Sequence, residues 1–323
     1  MKRWIDRWNA FWFPTTSTVN LAVARIIAVA AQLFWFFPPL EPQLNLLQKN
    51  SSFADPQLLI RAISALVPRE VFFTTSNFTA IYWATFIAGI LALVGFFTRS
   101  SLFVLTLGVW FLASHRYSYA DVHHPEALFA IFLLTLALAP AGDSLSVDAI
   151  IRRRREQPAA DRIGEPRKID TAMWPLKLIW VLLAMTYFST GITKILSGGL
   201  RWMNGYTLQI YTFGDALSTG MPLGIWLAGQ HTLSIVLAIF TIAFETFFFL
   251  SLLFPRTAPL FFLTGISFHI GLYLTSAQPF YPHITLLFIL LVCLDPGWWR
   301  VYADQLTVLS SRLRKPEQLK QPS

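Results

Sequence analysis

The apolar positions of this chain neither alternate nor recur every three or four residues; they run on. Eight runs stand out, at residues 18–37, 78–97, 101–115, 124–141, 172–195, 231–254, 257–276 and 281–295. A helix needs about 17–25 mainly apolar residues to cross the hydrocarbon layer of a bilayer. The pattern therefore predicts an all-α, polytopic membrane bundle of about eight transmembrane helices. The third and eighth runs are short, so each is tilted, re-entrant or longer than drawn. The opening MKRWIDRW and the AVAA at 28–31 loosely fit a secretory signal. The first run is interrupted by Arg25 and is long enough to span, so it reads as a retained helix.

Two connections are long. In residues 38–77, LLIRAISALV has apolar positions at helical spacing with Arg61 on the other face, which predicts a short helix lying on the membrane surface. Residues 196–230 are aromatic and glycine-rich, and are expected to fold back as a cap over the bundle. The division is a membrane domain over 1–295 and a basic tail over 296–323.

Composition sharpens this picture. The chain of 323 residues is 55% hydrophobic and only 13% charged, with 29 Phe and 12 Trp; soluble domains carry about 25% charged residues. The mean hydropathy is +0.53. The net charge of +8 does not indicate nucleic acid, because the basic residues sit in short connections between apolar runs. With the N-terminus placed in the cytoplasm, 17 Lys and Arg fall on the cytoplasmic side and 5 on the outer side. This asymmetry makes both termini cytoplasmic, with RRRR at 152–155 as a topological anchor. The expected partner is the bilayer, not nucleic acid. The lone Cys293 rules out an internal disulfide and a cysteine-based metal site.

Ionisable groups within apolar runs are costly unless paired or hydrated, and so mark candidate sites. Lys194 closes the fifth run; His123 and His124 open the fourth; Glu245 lies in the sixth, His269 in the seventh, and His283 opens the eighth. All fall in the middle or outer half, which predicts an outward-facing polar pocket. Arg25 and Lys177, in the inner half, are more scattered. Lys194 either snorkels to outer headgroups or faces a packed interior. Tyr187, Thr190 and Gly191 share its helical face by their spacing, which suits the interior. Glu245 needs a partner or must be protonated, and His269 is one candidate for that partner.

Other chemistries find little support. The histidines are too dispersed for a zinc site, so no metal is expected. There is no GxSxG, P-loop or GxGxxG. Asp143 and Asp148, in APAGDSLSVDA, read as turn and helix-cap residues.

Four segments in series carry a resemblance: FWFPTTSTVNLAVARI (11–26), HHPEALFAIFLLTLALAPAGDSLSVDA (123–149), YFSTGITKILSGGLRWMNGY (187–206) and FETFFFLSLLFPRTAPLFFLTGISFHIGL (244–272). Together they resemble the HTTM family, the membrane domain shared with vitamin K-dependent gamma-carboxylase. The carboxylase segment similar to 187–206 has two adjacent lysines, the second acting as base on the vitamin K hydroquinone. Here Thr193 stands at the first position and Lys194 at the second. The resemblance implies a catalytic His124, with His123 a close rival one residue away. Glu245 and His269 are similar to the general family pattern, and with Tyr187, Trp202 and Tyr206 of the segment around Lys194 they are the candidates for supporting or binding substrate or cofactor.

The implied cofactor is a reduced menaquinone or vitamin K-like hydroquinone. The implied chemistry is that of a carboxylase-like lyase and epoxidase: deprotonation by Lys194, reaction with oxygen to give a strong base, removal of a proton from carbon, and addition of carbon dioxide. A lysine serves as base only where desolvation disfavours its ammonium form. The eukaryotic carboxylase has a large lumenal domain after its membrane part, whereas about 28 residues follow the last run here. Short bacterial SdpB-like members, which assist maturation of a secreted peptide toxin, are similar in size. The expected setting is thus a bacterial inner membrane and the expected substrate a secreted peptide or protein. The alternative is a non-catalytic maturation or export partner, with Lys194 and Arg201 pairing with a peptide carboxylate.

Reporter fusions at residues 160 and 318 should read cytoplasmic, and fusions at 60 and 215 external. An external signal at 160 would invert the orientation and place every candidate residue on the opposite side.

Overall fold

A computed structural model describes residues 2–49, 54–119, 124–156 and 168–294. All eight predicted runs are helical. In chain order the helices are α1 (Lys2–Trp12), α2 (Thr18–Ala31), α3 (Leu40–Leu47), α4 (Leu58–Leu66), α5 (Arg69–Phe72), α6 (Thr75–Val94), α7 (Thr98–Tyr117), α8 (His124–Leu138), α9 (Val147–Glu156), α10 (Trp174–Gly198), α11 (Tyr206–Thr219), α12 (Pro222–Ala228), α13 (His231–Phe247), α14 (Leu250–Leu253), α15 (Ala258–Ser276) and α16 (Tyr281–Cys293). Two short strands, β1 (Thr16–Ser17) and β2 (Lys168–Ile169), pair antiparallel and tie the start of α2 to the segment entering α10.

Among the described residues, four stretches are long and apolar enough to cross a membrane: Thr18–Phe36, Thr75–Val94, Trp174–Asn204 and Pro255–Ser276. A fifth is added if α12 and α13, bent by 101°, form one broken span. The third run, drawn as 101–115, is longer than its apolar core: α7 extends to Thr98 and Tyr117. The first run is not one uniform helix. After Ala31 it widens into a π-helical turn, Gln32–Phe36, and stops before Pro38 and Pro39, because a residue preceding proline is pushed out of the helical region. The predicted tail, 296–323, lies outside the described residues.

The core is shared by α2, α8, α10, α15 and α16, with Leu21, Phe132, Leu183, Phe262 and Leu290 fully or almost fully buried. A smaller cluster of Ile60, Phe78, Tyr82 and Phe111 sits beneath α4. As expected, residues 58–66 form a short helix, with Ile60 buried and Arg61 exposed. Gln57 Nε2 donates to the Tyr117 carbonyl (3.1 Å), fastening the start of α4 to the end of α7.

One polar assembly holds the turns at the opposite ends of α6 and α8 from α4. Arg25, fully buried on α2, donates from Nη1 to the Ala141 carbonyl (3.1 Å) and from Nη2 to the Leu145 carbonyl (2.5 Å). It thereby satisfies carbonyls of the turn between α8 and α9. The Asp148 carboxylate accepts from Phe97 N (2.9 Å), Thr98 N (2.7 Å) and Thr98 Oγ1 (2.7 Å), clasping the α6–α7 turn. Gly95 adopts φ +73, and a Cβ there would lie 2.4 Å from Ser146 Cβ and 2.5 Å from Arg25 Nη1. Only glycine fits this crossing of three segments without a shift. Arg25, read from the sequence as scattered, is therefore an architectural residue. Asp148 does more than begin a helix.

Burial of Asp148 by itself would raise its carboxyl pKa, but the Thr98 and Phe97 donors, aided by Arg25, leave it below the ordinary 3.8. A depressed folded-state value means that this stabilisation is complete above the unfolded-state pKa and fades as pH falls through the folded value. Asp148→Ala should destabilise the protein in detergent by about 1.5–3 kcal/mol near neutrality. The difference in thermal midpoint between parent and variant should narrow on acidification below about pH 4. A constant gap down to pH 3 would show that the carboxylate charge plays no part in the clasp.

Candidate functional site

The site is built where α10 and α13 come closest. A Cβ on Gly191 would lie 2.6 Å from the Thr246 backbone nitrogen and 2.5 Å from its Oγ1, so the helices touch backbone to side chain at this point. One turn further along α10, Lys194 faces Glu245. Lys194 Nζ donates to Glu245 Oε1 (2.6 Å) and Oε2 (2.5 Å), with the side chains 19% and 6% exposed. Lys194, not His269, is thus the partner that Glu245 requires.

His269 instead shares a hydrogen bond with Tyr187, whose Oη lies 2.6 Å from His269 Nε2. Both groups are buried. The ring of His283 stands 5.2 Å from that of His269, and Phe280 stacks on His269 at 4.9 Å. Tyr187 also packs against Phe244 and Phe248 of the sixth run. The hydroxyl–imidazole pair is thus held in an aromatic wall.

The sequence that follows Lys194 supplies the roof. α10 ends at Gly198, its cap Gly199 adopts φ +55, and residues Gly199–Asn204 turn tightly as a 3₁₀ helix. That return lays Trp202 over the lysine, with Nζ 5.1 Å from the indole centroid, a cation–π distance. The predicted cap over 196–230 is α11 and α12, packed on α13 and α15. Gln278 Nε2 donates to Asp215 Oδ2 (2.9 Å), tying α11 to the segment after α15.

These elements enclose a cavity of about 230 Å³. Tyr187, Lys194, Trp202, Glu245, His269 and His283 line it, as do Asp215 and Gln278. Among the described residues no three His, Cys, Asp or Glu side chains gather as a metal site requires. Tyr206 is the candidate that does not fit: it is absent from the cavity lining, exposed, and lies on His231 with ring centroids 4.5 Å apart. Gly205 redirects the chain just before it, with φ +82. His123 lies outside the described residues, and of His124 only the backbone that opens α8 is described.

Asp215 and Gln278 are the site residues that sequence reading missed. The available signal was Asp215 itself, a lone acid in the aromatic stretch YTFGDALSTG.

The fold is that of a multi-pass helical membrane protein with an enclosed lysine–glutamate pair. The chain belongs to the HTTM domain family, whose model matches residues 13–298. This places it with the carboxylase-associated membrane proteins. Comparison with curated proteins and with solved structures gave no match.

Removing one partner of a buried ion pair strands the other charge, at a cost of about 3–5 kcal/mol. Lys194→Met should therefore lower thermal stability markedly, and adding Glu245→Met in the same chain should recover much of the loss. If the double variant is less stable than either single one, the pair is not the unit described.

Proposed function

We propose that this protein is an enzyme of the bacterial inner membrane, crossing it eight times with both termini in the cytoplasm. Its outward-facing cavity uses a quinol for base-driven modification of a secreted peptide. The observation that carries this reading is the enclosed Lys194–Glu245 pair beneath Trp202, beside the Tyr187–His269 pair.

The donor set suits a quinol head group. Aromatic walls from Tyr187, Phe268 and Phe280 surround groups able to donate and accept hydrogen bonds. The cavity is below the roughly 300–1,000 Å³ of sites that hold whole drug-sized ligands, and so fits a ring rather than a ring with its chain. A bound reduced menaquinone would supply acidic hydroxyl groups and the electrons that oxygen accepts.

Lys194 is the base. As an ammonium ion it cannot accept a proton, but Glu245 is already in line to take one. Movement of a proton from Nζ to a carboxylate oxygen leaves a neutral amine and a neutral acid. In a poorly solvated site this form competes with the ion pair, because both charges lose their hydration. The free amine would be the group able to take a proton from a bound hydroxyl. Tyr187 and His269 would hold the head group by hydrogen bonds, and Trp202 keeps water from the amine. His124, at the start of α8, relays protons to the outside.

One observation favours a second reading. On α11, Tyr206, Ile210, Phe213 and Leu217 are exposed and recur at helical spacing, forming an apolar stripe on the cap. A non-catalytic maturation or export partner would use such a stripe to receive a peptide.

Intact protein in detergent should bind menaquinone-4 saturably and should accelerate oxygen uptake with reduced menaquinone-4. Lys194→Arg keeps a charge opposite Glu245, but guanidinium does not give up its proton. It should retain folding and quinone binding and lose about 100-fold or more in oxygen uptake, the usual contribution of a general base. Absence of saturable quinone binding by the parent would favour the peptide-partner reading. An active Lys194→Arg protein would remove the general-base role.

A further inference from the structure

A second cavity, of about 730 Å³, lies between α4, α7, α8 and the π-helical turn after α2. Its volume is in the range of sites that enclose a whole small molecule. Most of its wall is apolar: Leu58 and Leu59 of α4, Val109 and Trp110 of α7, Phe129 and Ile131 of α8. Besides Ser114 and Gln57, whose Nε2 is taken by the Tyr117 carbonyl, polar side chains occur at two places. At one, Arg116 Nη2 donates to Glu126 Oε2 (2.5 Å) and to Tyr117 Oη (2.9 Å). These opposite charges are already matched to each other. At the other is Gln32, 3% exposed, which lines the cavity. Among the described residues its side-chain amide has no hydrogen-bond partner.

The Gln32 amide is left open to the cavity, and an amide offers both a donor and an acceptor. The occupant that answers it carries a hydroxyl or carbonyl. The rest of the wall asks for hydrocarbon, and the matched Arg116–Glu126 pair leaves no net charge to attract an ion. We propose that this cavity is a binding site for a long-chain lipid with a small, uncharged, oxygen-bearing head, its head on Gln32 and its chain beneath α4. The site is separate from the Lys194 cavity and does not depend on the reading given for it. The two approach each other at the first turn of α16, where Pro282 lines the larger cavity and His283 the smaller.

The test uses intact protein in detergent and a monoacylglycerol with a photoreactive diazirine in its chain. Labelling should saturate, map to residues 32–38, 57–62 and 109–117, and be competed by monoolein but not by oleate or hexadecane. Gln32→Leu should raise the half-saturating concentration about 5- to 10-fold, the loss of one hydrogen bond. Ala113→Phe, which projects a ring into the cavity, should abolish the saturable component; thermal unfolding checks that each variant is folded. Labelling that rises linearly with probe, or that oleate and hexadecane compete as well as monoolein does, would show only surrounding lipid and overturn the proposal. So would equal saturable labelling of the parent and the folded Ala113→Phe variant.

Discussion

Lys194 and Glu245 face one another in a largely buried setting, and this end of the molecule is arranged around that fact. A buried carboxylate and a buried ammonium are each prohibitive alone and tolerable together. Their meeting fixes the register of α10 against α13. Gly191 makes the approach possible, because any side chain there would push Thr246 and its helix away. Trp202 can cover the lysine only because α10 stops at Gly198 and is capped by Gly199, five residues beyond it. The Tyr187–His269 bond then joins α15 to the same face of α10.

Polar groups at the other end of the bundle do different work. Arg25 and Asp148 bind backbone atoms almost exclusively. They hold two turns in which Phe97 and Leu145 adopt positive φ, a conformation that costs free energy for residues with side chains. Side chains that answer backbone in this way are committed to the turns they hold. In the Lys194 cavity, side chains answer side chains, and a proton can move between them without unfolding a turn. This difference in partners, more than depth or charge, separates structural from candidate reactive polar residues in the chain.

Much of this was legible in the sequence. Long apolar runs fixed where helices form because backbone groups in hydrocarbon have few alternatives to helical bonding. Glu245's need for a partner was equally plain. The identity of that partner was not, since a single sequence carries no record of which helix faces which; His269 and Lys194 were equally available. The same ignorance of inter-helix register made Arg25 look isolated, although the carbonyls it binds lie 116 and 120 residues away. Tyr206 was a candidate because it closes the segment that carries Lys194, but it follows the left-handed Gly205 and lies exposed against His231, outside the cavity. Asp215 escaped notice because the cap mixes aromatic, small and polar residues, so no single polar group stands out against it.

The separation of Lys194 from Glu245 along the chain is 51 residues. Synthesis at roughly 5–20 residues per second puts about 3–10 s between their emergence from the ribosome. Throughout that interval α10 is a hydrophobic helix with an unanswered cation near one end. The lysine stem is long enough to let the ammonium wait at the headgroups, whereas a carboxylate on its short stem could not wait in the same way. The order is favourable: the residue that can reach water is made first, and the one that cannot arrives to find its counter-ion already in the membrane. Exchanging the two residues would keep the finished ion pair in principle but would deliver the acid before its base, and insertion of that span would be the step to suffer.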